Sequence, residues 1–369
     1  MDCAIDCRIS IAQIQVFWSI KEDLVQMAIQ LKDIADYVGV SQGTVSRVLS
    51  NKKSGVRISD DTRKRVLQVA REFGYTPNPI ARSLRTRRTA TIGVIAPSNN
   101  NFSQQINTAE IIAAQKGYEL IVAITRWSTE QEENEIRRLL HRMVDGLLIL
   151  SPVIEGQRDK VLGELVGKGF PLVGVGPILN DSADYVDWDR QEAYKQLTEH
   201  LLERGCRKIA FLARNMTPGI QGRIDGVRAA VENNSEGVQL RLIGCQSDLR
   251  AMNNPQLEQF ARKEILANRP DAVLCPSDED ALVVMHTVRK LGWSVPKEIA
   301  VTGCSNQSFG EFLEVPLTTV AMPYEKMVET AVVRIIERIE NADKSFARMA
   351  KCVPADVIIR QSSMFGTRL

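Results

Sequence analysis

Between residues 41 and 47 the chain sets Ser41, Gln42, Gly43, Thr44, Ser46 and Arg47 close together, short hydrogen-bonding groups followed by one long, fork-shaped donor. A glutamine side chain suits an adenine edge and an arginine suits a guanine edge, so such a set on one helix face can read bases in the major groove of DNA. The reading requires a helix to carry these groups and a second helix to brace it. The surrounding pattern supplies both. Leu31, Ile34, Ala35 and Val38 recur at helical spacing and give a first helix one apolar stripe, which Gly39 then ends. Ser41 is suited to cap a second helix, and Val40 with Val45 occupy the positions of a hydrophobic staple. Val45, Val48 and Leu49 then face inward and leave the polar set outside. This is a helix-turn-helix pattern, although any αα-hairpin with a central glycine shares it.

The polar character continues past the hairpin. The loop from Asn51 to Ile58 offers Asn51, Lys52, Lys53 and Arg57 to phosphates. Ser59 opens a third helix with Asp60 and Asp61 in its first turn, where the helix dipole favours carboxylates, and Val66, Val69, Ala70 and Phe73 form its stripe before Gly74 closes it. The stretch from Thr76 to Thr89 is stiffened by Pro77 and Pro79, and Asn78 can cap a single turn from Ile80 to Leu84. A turn that short is unstable alone in water, so it folds only when a partner supplies contacts. Arg82, Arg85, Arg87 and Arg88 would bring it to phosphates; a basic, solvated linker has the same spacing.

Charge and composition bound the remaining possibilities. At 369 residues the chain has room for two or three domains, and no apolar run approaches the length of a membrane span. The net charge is only +2, but residues 28–91 hold 13 Lys+Arg against 5 Asp+Glu while residues 92–369 hold 32 against 36. A basic head on a mildly acidic body points one end at a polyanion. The seven cysteines and three histidines are scattered with no CxxC pair, so no metal site and no disulfide framework is expected, and a reducing cytoplasm fits best. Cys245, Cys275 and Cys304 read as small buried hydrophobes. Residues 1–26 lack the basic start and cleavage site of a signal peptide; the segment 1–27 is set aside as a disordered arm or an extended reading frame.

Beyond Thr91 short apolar runs alternate with amphipathic helices, the pattern of parallel α/β layers. Strands are expected at Ile92–Ala96, Tyr118–Ile124, Gly146–Leu150, Ile209–Ala213, Gln239–Gly244, Ala272–Cys275 and Ile299–Thr302. Helices are expected at Gln104–Lys116, after Ser128 with Gln131 as its capping partner, and at Tyr324–Ile339. No GxGxxG or GxxxxGK[ST] sequence opens any of these helices, so a nucleotide cofactor is disfavoured and none is expected. Nor is there a nucleophile–base set, a metal cluster or a phosphate loop to make the chain an enzyme. Nine or more strands in alternation suggest two Rossmann-like lobes, with ligands bound at strand C-termini in the cleft between them.

Three blocks of sequence resemble the lac repressor and galactose repressor (LacI/GalR) family of bacterial transcription regulators: Leu31-Lys-Asp-Ile-Ala with Gly39-Val-Ser and Thr44-Val-Ser-Arg-Val-Leu, then Pro77-Asn with Ala81-Arg-Ser-Leu, then Thr91-Ile-Gly-Val-Ile. The resemblance runs from about Met27 to Ser363. It implies an all-α helix-turn-helix domain at 28–76, a hinge at 77–91 and a periplasmic-binding-protein-like α/β core. The core's N-terminal lobe would comprise 92–205 and 318–344, and its C-terminal lobe 206–317 and 345–363. It further implies a cytoplasmic homodimer on a near-palindromic duplex, with Gln42, Gly43 and Arg47 at the bases, and a hinge that folds on DNA. There Leu84 would wedge into the minor groove with Ala81 beside it. A small effector, a sugar or sugar derivative in many relatives, would sit in the core cleft. From the residues themselves, Arg223 is the leading candidate, placed in a loop after a strand and followed by Gly226; Asn100, Asn101 and Phe102 follow another strand end. Trp127 and Trp188 can stack on a ring, and Asp189, Ser277, Asp278 and Ser305 complete the expected site. Here Ser277 and Ser305 replace longer polar groups and Arg190 replaces an Asn of the sugar-responsive members. That leaves fewer acceptors for sugar hydroxyls and room for a larger or anionic ligand. No leucine-heptad tail follows Ser363, so a dimer rather than a tetramer is expected.

Overall fold

A computed structural model of the chain describes residues 29–49, 58–75, 88–97, 102–150, 158–176, 183–213, 217–233, 237–244, 253–342 and 346–366. The chain divides into two compact units, residues 1–87 and 88–369.

The first unit contains three helices, α1 (Leu31–Val38), α2 (Gln42–Leu49) and α3 (Asp60–Glu72). Each boundary has a local cause. Gln30 caps α1, its backbone N–H donating to Asp33 Oδ2 at 2.7 Å, and Gly39 ends the helix in the left-handed region at φ 75°. Ser41 Oγ accepts the Thr44 N–H at 3.1 Å at the start of α2, and Ser59 Oγ accepts the Thr62 N–H at 3.2 Å at the start of α3. The core is small: Ile34, Ala35, Val38, Val45, Val48, Val66, Val69 and Ala70 are buried together, with Leu31, Val40, Leu49 and Phe73 packed at its edge. The hinge segment 76–87 and residues 1–28 and 50–57 lie outside the described residues.

The second unit holds two sheets. The first uses β1 (Thr91–Ala96), β2 (Glu119–Ile124), β3 (Gly146–Leu150), β4 (Leu172–Val175), β5 (Asp184–Trp188) and a late strand, β11 (Ala350–Val353). The second uses β6 (Lys208–Leu212), β7 (Gln239–Ile243), β8 (Ala272–Leu274), β9 (Ala300–Cys304), β10 (Thr318–Ala321) and β12 (Asp356–Ile358). Their orders are β11-β5-β4-β3-β1-β2 and β12-β10-β9-β8-β6-β7. Every pairing is parallel except β10 with β12. Helices α4 (Ser103–Gln115), α5 (Thr129–His141), α6 (Arg158–Gly167) and α11 (Tyr324–Glu340) belong with the first sheet. Helices α7 (Arg190–Glu203), α8 (Pro218–Asn233), α9 (Asn254–Asn268) and α10 (Asp278–Lys290) belong with the second.

The expected lobe boundaries change in three places. Residues 318–321 form β10 in the second sheet rather than the first, because Thr318, Thr319 and Val320 fill the slot between β9 and β12. Residues 350–353 run as β11 beside β5 in the first sheet rather than in the second lobe. Helix α7, expected in the first lobe, packs on α8 so closely that a Cβ on Gly226 would lie 2.2 Å from the Gln191 carbonyl oxygen. The expectation that α11 packs on the first sheet agrees with the structure: Met327, Val328, Ala331, Val332, Ile335, Ile336 and Ile339 are buried, and Gly146 of β3 leaves room for Ile335 and Ile339.

The chain therefore passes between the lobes three times, at Asp189, at Met322–Pro323 and at Pro354–Ala355. The first and third crossings touch, the Asp189 N–H donating to the Val353 carbonyl at 3.0 Å. One apolar cluster, running from Ile92 through Trp188 and Tyr194 to Val353, is continuous through both lobes.

Candidate functional site

In the first unit, helix α2 presents Ser41, Gln42, Gly43 and Arg47 exposed, and Thr44 and Ser46 half-buried. Val45 and Val48 turn the opposite face into the core. Ser41 is the N-cap and its Oγ lies 2.9 Å from Thr44 Oγ1, so these two hydroxyls fix the helix start as well as facing outward. Gly43 adds no bulk beside them. Asn51, Lys52, Asn78, Ala81, Arg82 and Leu84 lie outside the described residues.

In the second unit a cavity of about 220 Å³ lies between the lobes. Its apolar wall includes Phe102, Trp127, Leu150, Val175, Met322 and Met327. Phe102 and Trp127 meet edge to face at 6.1 Å, with Trp127 half exposed. Of the residues expected from the sequence, Phe102, Trp127, Arg223, Ser277 and Ser305 line this space together. Asn101 lies outside the described residues.

Arg223 is not in a loop as expected but in the second turn of α8. Its Nη1 donates to the Pro276 carbonyl at 2.6 Å, and its guanidinium stands 5.4 Å from the Trp188 ring centre and 5.5 Å from that of Tyr194.

Asp189 and Asp278, expected in the site, are used elsewhere. Asp189 caps α7, its Oδ1 accepting the Glu192 N–H at 2.9 Å, and so places Arg190 as the first residue of that helix. Asp278 is wholly buried: Oδ1 accepts from the Thr319 hydroxyl and Oδ2 from the Gln307 N–H, each at 2.6 Å. Burial pushes the Asp278 carboxyl up, and these two hydrogen bonds oppose that shift. A side chain on Gly303 would collide with Asp278 Oδ1. Asp278 is a strut joining α10 to β9 and β10, not a wall of the cavity.

The structure adds residues that sequence reasoning passed over. Arg190, read only as the loss of an asparagine, lines the cavity with its guanidinium 4.8 Å from the Trp188 ring centre. Gln105 reaches the same space from the first turn of α4. Gln307 and Tyr324 complete the polar lining. Arg190 packs against α8 beside Gly219 and Gly222, where Cβ atoms would sit at ordinary contact distances of 3.4 and 3.6 Å from its side chain, so those glycines gave no cue to it. Burial pushes the Tyr194 and Tyr324 phenols and the Cys304 thiol up, so all three are neutral near pH 7. Among the described residues no group of three His, Cys, Asp or Glu could hold a metal ion, and no helix is long and apolar enough to cross a membrane.

Comparison with known proteins matches both units. Residues 30–78 match the family described as bacterial regulatory proteins, lacI family, and residues 198–363 match the periplasmic binding protein-like domain. The first unit therefore carries a lacI-family helix-turn-helix domain. The chain is a DNA-binding transcriptional regulator with a periplasmic-binding-protein-like core. It is 28% identical to the HTH-type transcriptional repressor PurR of Vibrio vulnificus over 321 residues, which cover 85% of this chain and 92% of the relative. It is 27% identical to the ribose operon repressor of Haemophilus influenzae, over 86% of this chain and 93% of that one. Among solved structures, the lac repressor dimer bound to operator and an anti-inducer superposes with a TM-score of 0.75 at 23% identity, covering 91% of this chain and 99% of that chain. The regulator CelR in complex with cellobiose superposes with a TM-score of 0.64 at 25% identity, covering 90% and 99%.

Proposed function

We propose that this regulator is a cytoplasmic repressor that binds a near-palindromic operator as a homodimer, and that a small molecule in the core cavity sets its affinity for that operator. The observation that carries the reading is the cavity itself: residues from both lobes line one partly open cleft, and residues of two chain crossings, Trp188 with Arg190 and Met322 with Tyr324, form part of its lining. A ligand that prefers one arrangement of the lobes shifts the population toward it, and the operator affinity changes by the same coupling free energy. The relatives support this: one is a repressor of the ribose operon, and another is a lac repressor dimer seen on its operator with a ligand.

On the DNA side, Gln42 and Arg47 are assigned to base edges, with Ser41, Thr44 and Ser46 supporting contacts at or near phosphates. Asn51, Lys52, Asn78 and Arg82 are assigned to the backbone, and Leu84 with Ala81 to the minor-groove wedge. The test is selection of bound fragments from the source genome by the full-length protein, followed by titration of the recovered fragments with and without small molecules. A symmetric recovered motif and an affinity that falls steeply with salt are expected, because neutralised phosphates release counterions. Equal affinity for random and recovered fragments overturns the reading. Leu84→Ala should spare nonspecific binding and reduce operator bending; unchanged bending removes the wedge.

A further inference from the structure

Gln105, Arg190 and Arg223 all line the cavity between the lobes, and on each a donor is buried with no hydrogen-bond partner among the described residues: Gln105 Nε2, Arg190 Nε and Arg223 Nε. Unpaired buried donors are costly, so three side chains of this kind around one space mark it as rich in donors and short of acceptors. Arginine carries no acceptor at all, and the amide nitrogen of Gln105 can only donate. The complement is a ligand group rich in acceptors.

Charge narrows the choice. Arg190 and Arg223 flank one indole: Trp188 is 4% exposed, with the two guanidiniums 4.8 and 5.4 Å from its ring centre. Arg190 already has a carboxylate, Asp187, at 2.5 Å, both side chains being largely buried. Among the described residues Arg223 meets the Pro276 carbonyl, the Tyr194 phenol and the faces of Trp188 and Tyr194, and no carboxylate. Glu279 lies at the exposed rim of the cavity. Among the described residues the interior therefore holds one guanidinium charge that no carboxylate balances, and a single negative charge would neutralise it.

We infer that the effector of this regulator is a small carboxylate-bearing molecule, its carboxylate held between Arg190, Arg223 and Gln105 over the edge of Trp188, and its remaining body against Phe102 and Trp127. This rests on the cavity being the effector site, and adds the ligand's chemical class. Arg190 is held in place by its ion pair with Asp187 and by its packing on Trp188, which makes its position a built feature of the crossing into α7.

The experiment uses the full-length protein and three matched pairs of probes that differ in charge: D-gluconate with D-sorbitol, D-glucuronate with D-glucose, and benzoate with benzyl alcohol, together with inorganic phosphate. Binding is read by tryptophan fluorescence and by the rise in Tm, and function by operator affinity in the same samples. At least one acid should bind tenfold or more tightly than its neutral partner. Glu279→Gln, an exposed change, should tighten that acid several-fold, and Arg190→Met should remove the advantage of the acid while leaving the neutral partner's weak binding where it was. If Arg190→Met is unstable, the Glu279→Gln result and the matched pairs alone decide. A neutral probe that binds as well as its acid and shifts operator affinity overturns the carboxylate assignment while leaving the effector site intact. Binding of phosphate in preference to every carboxylate overturns it in favour of a doubly charged ligand. No binding by any of the acids at millimolar concentration overturns it outright, and operator binding by the same samples then shows whether the regulator reading stands on its own.

Discussion

In the head, the residues of α2 and its cap that are assigned to DNA sit within seven positions of one another, from Ser41 to Arg47. In the core, the cavity gathers residues as far apart in the chain as Phe102, Arg190, Arg223, Ser277, Ser305 and Tyr324 from both lobes. The head rests on eight buried residues, whereas the core rests on clusters that run through both sheets. A small domain that exposes its chemistry on one helix can diverge by changing single residues without refolding. A cavity assembled from strand ends and helix starts changes its ligand only as the packing beneath it permits. The two regions should accordingly fail separately, and mutations can test that.

The largest separation is expected from Ile34→Ala, which removes a wholly buried side chain from the head's core. Such a truncation costs about 2–5 kcal/mol, comparable to the whole stability expected of a domain of this size. Operator binding should be lost while the core's calorimetric transition keeps its Tm. A core transition that falls with it would show that the two units do not fold independently.

Next, Gly226→Ala would push α8 off α7, since the added Cβ meets the Gln191 carbonyl oxygen at 2.2 Å. Overpacking of this kind costs about 1–3 kcal/mol, and the shift of α7 carries Arg190 with it. The core's Tm should drop and ligand binding weaken, with nonspecific DNA affinity unchanged below the transition. Loss of both together would blur the distinction.

Arg47→Ala sharpens it from the other side. Discrimination at one operator base pair should relax by about 1–3 kcal/mol, with the core's Tm and ligand affinity untouched. A uniform loss on all DNA would reassign Arg47 to the phosphates.

The smallest effect is confined to the core. Burial, helped by Arg204, lowers the pKa of His200 from 6.5, and its Nε2 lies 2.9 Å from Ser363 Oγ. The unfolded chain therefore binds this proton more readily than the folded one, so stability falls as pH drops below about 6.5 and levels off once the folded-state pKa is passed. His200→Gln should flatten that part of the core's stability profile and leave the head's unchanged.

How far sequence reached in each region follows from the same contrast. In the head, stripe spacing, Gly39 and the serine caps are local signals, and the helices stand where Ile34, Val38 and Val45 require them. In the core, the apolar runs made β1, β2, β3, β6, β7, β8 and β9 legible, whereas β4 and β5 were not singled out. The lobe to which β10 and β11 belong was not, because no local property of 318–321 or 350–353 records which sheet has an open edge. Arg223 was visible as a residue but not as part of α8, since Gly219, Gly222 and Gly226 disguise a helix whose glycines serve close packing. Asp189 and Asp278 looked like ligands because a carboxylate at a strand end suits binding, capping and internal bracing alike. Arg190 looked like an absence because its partners Asp187 and Trp188, although close in sequence, hold it toward a cavity whose other walls come from elsewhere in the chain.

The exchange of β10 and β11 across the sheets has a consequence for anyone who cuts or recombines this molecule. Truncation after Glu203 would strip the first sheet of its β11 margin and of α11, while a fragment starting at Lys208 would carry both of those pieces with nothing to seat them on. Neither half can be excised as a cassette, and a chimera that grafts one lobe onto a foreign regulator must transplant two separate runs of chain or it will expose raw apolar surface at every seam.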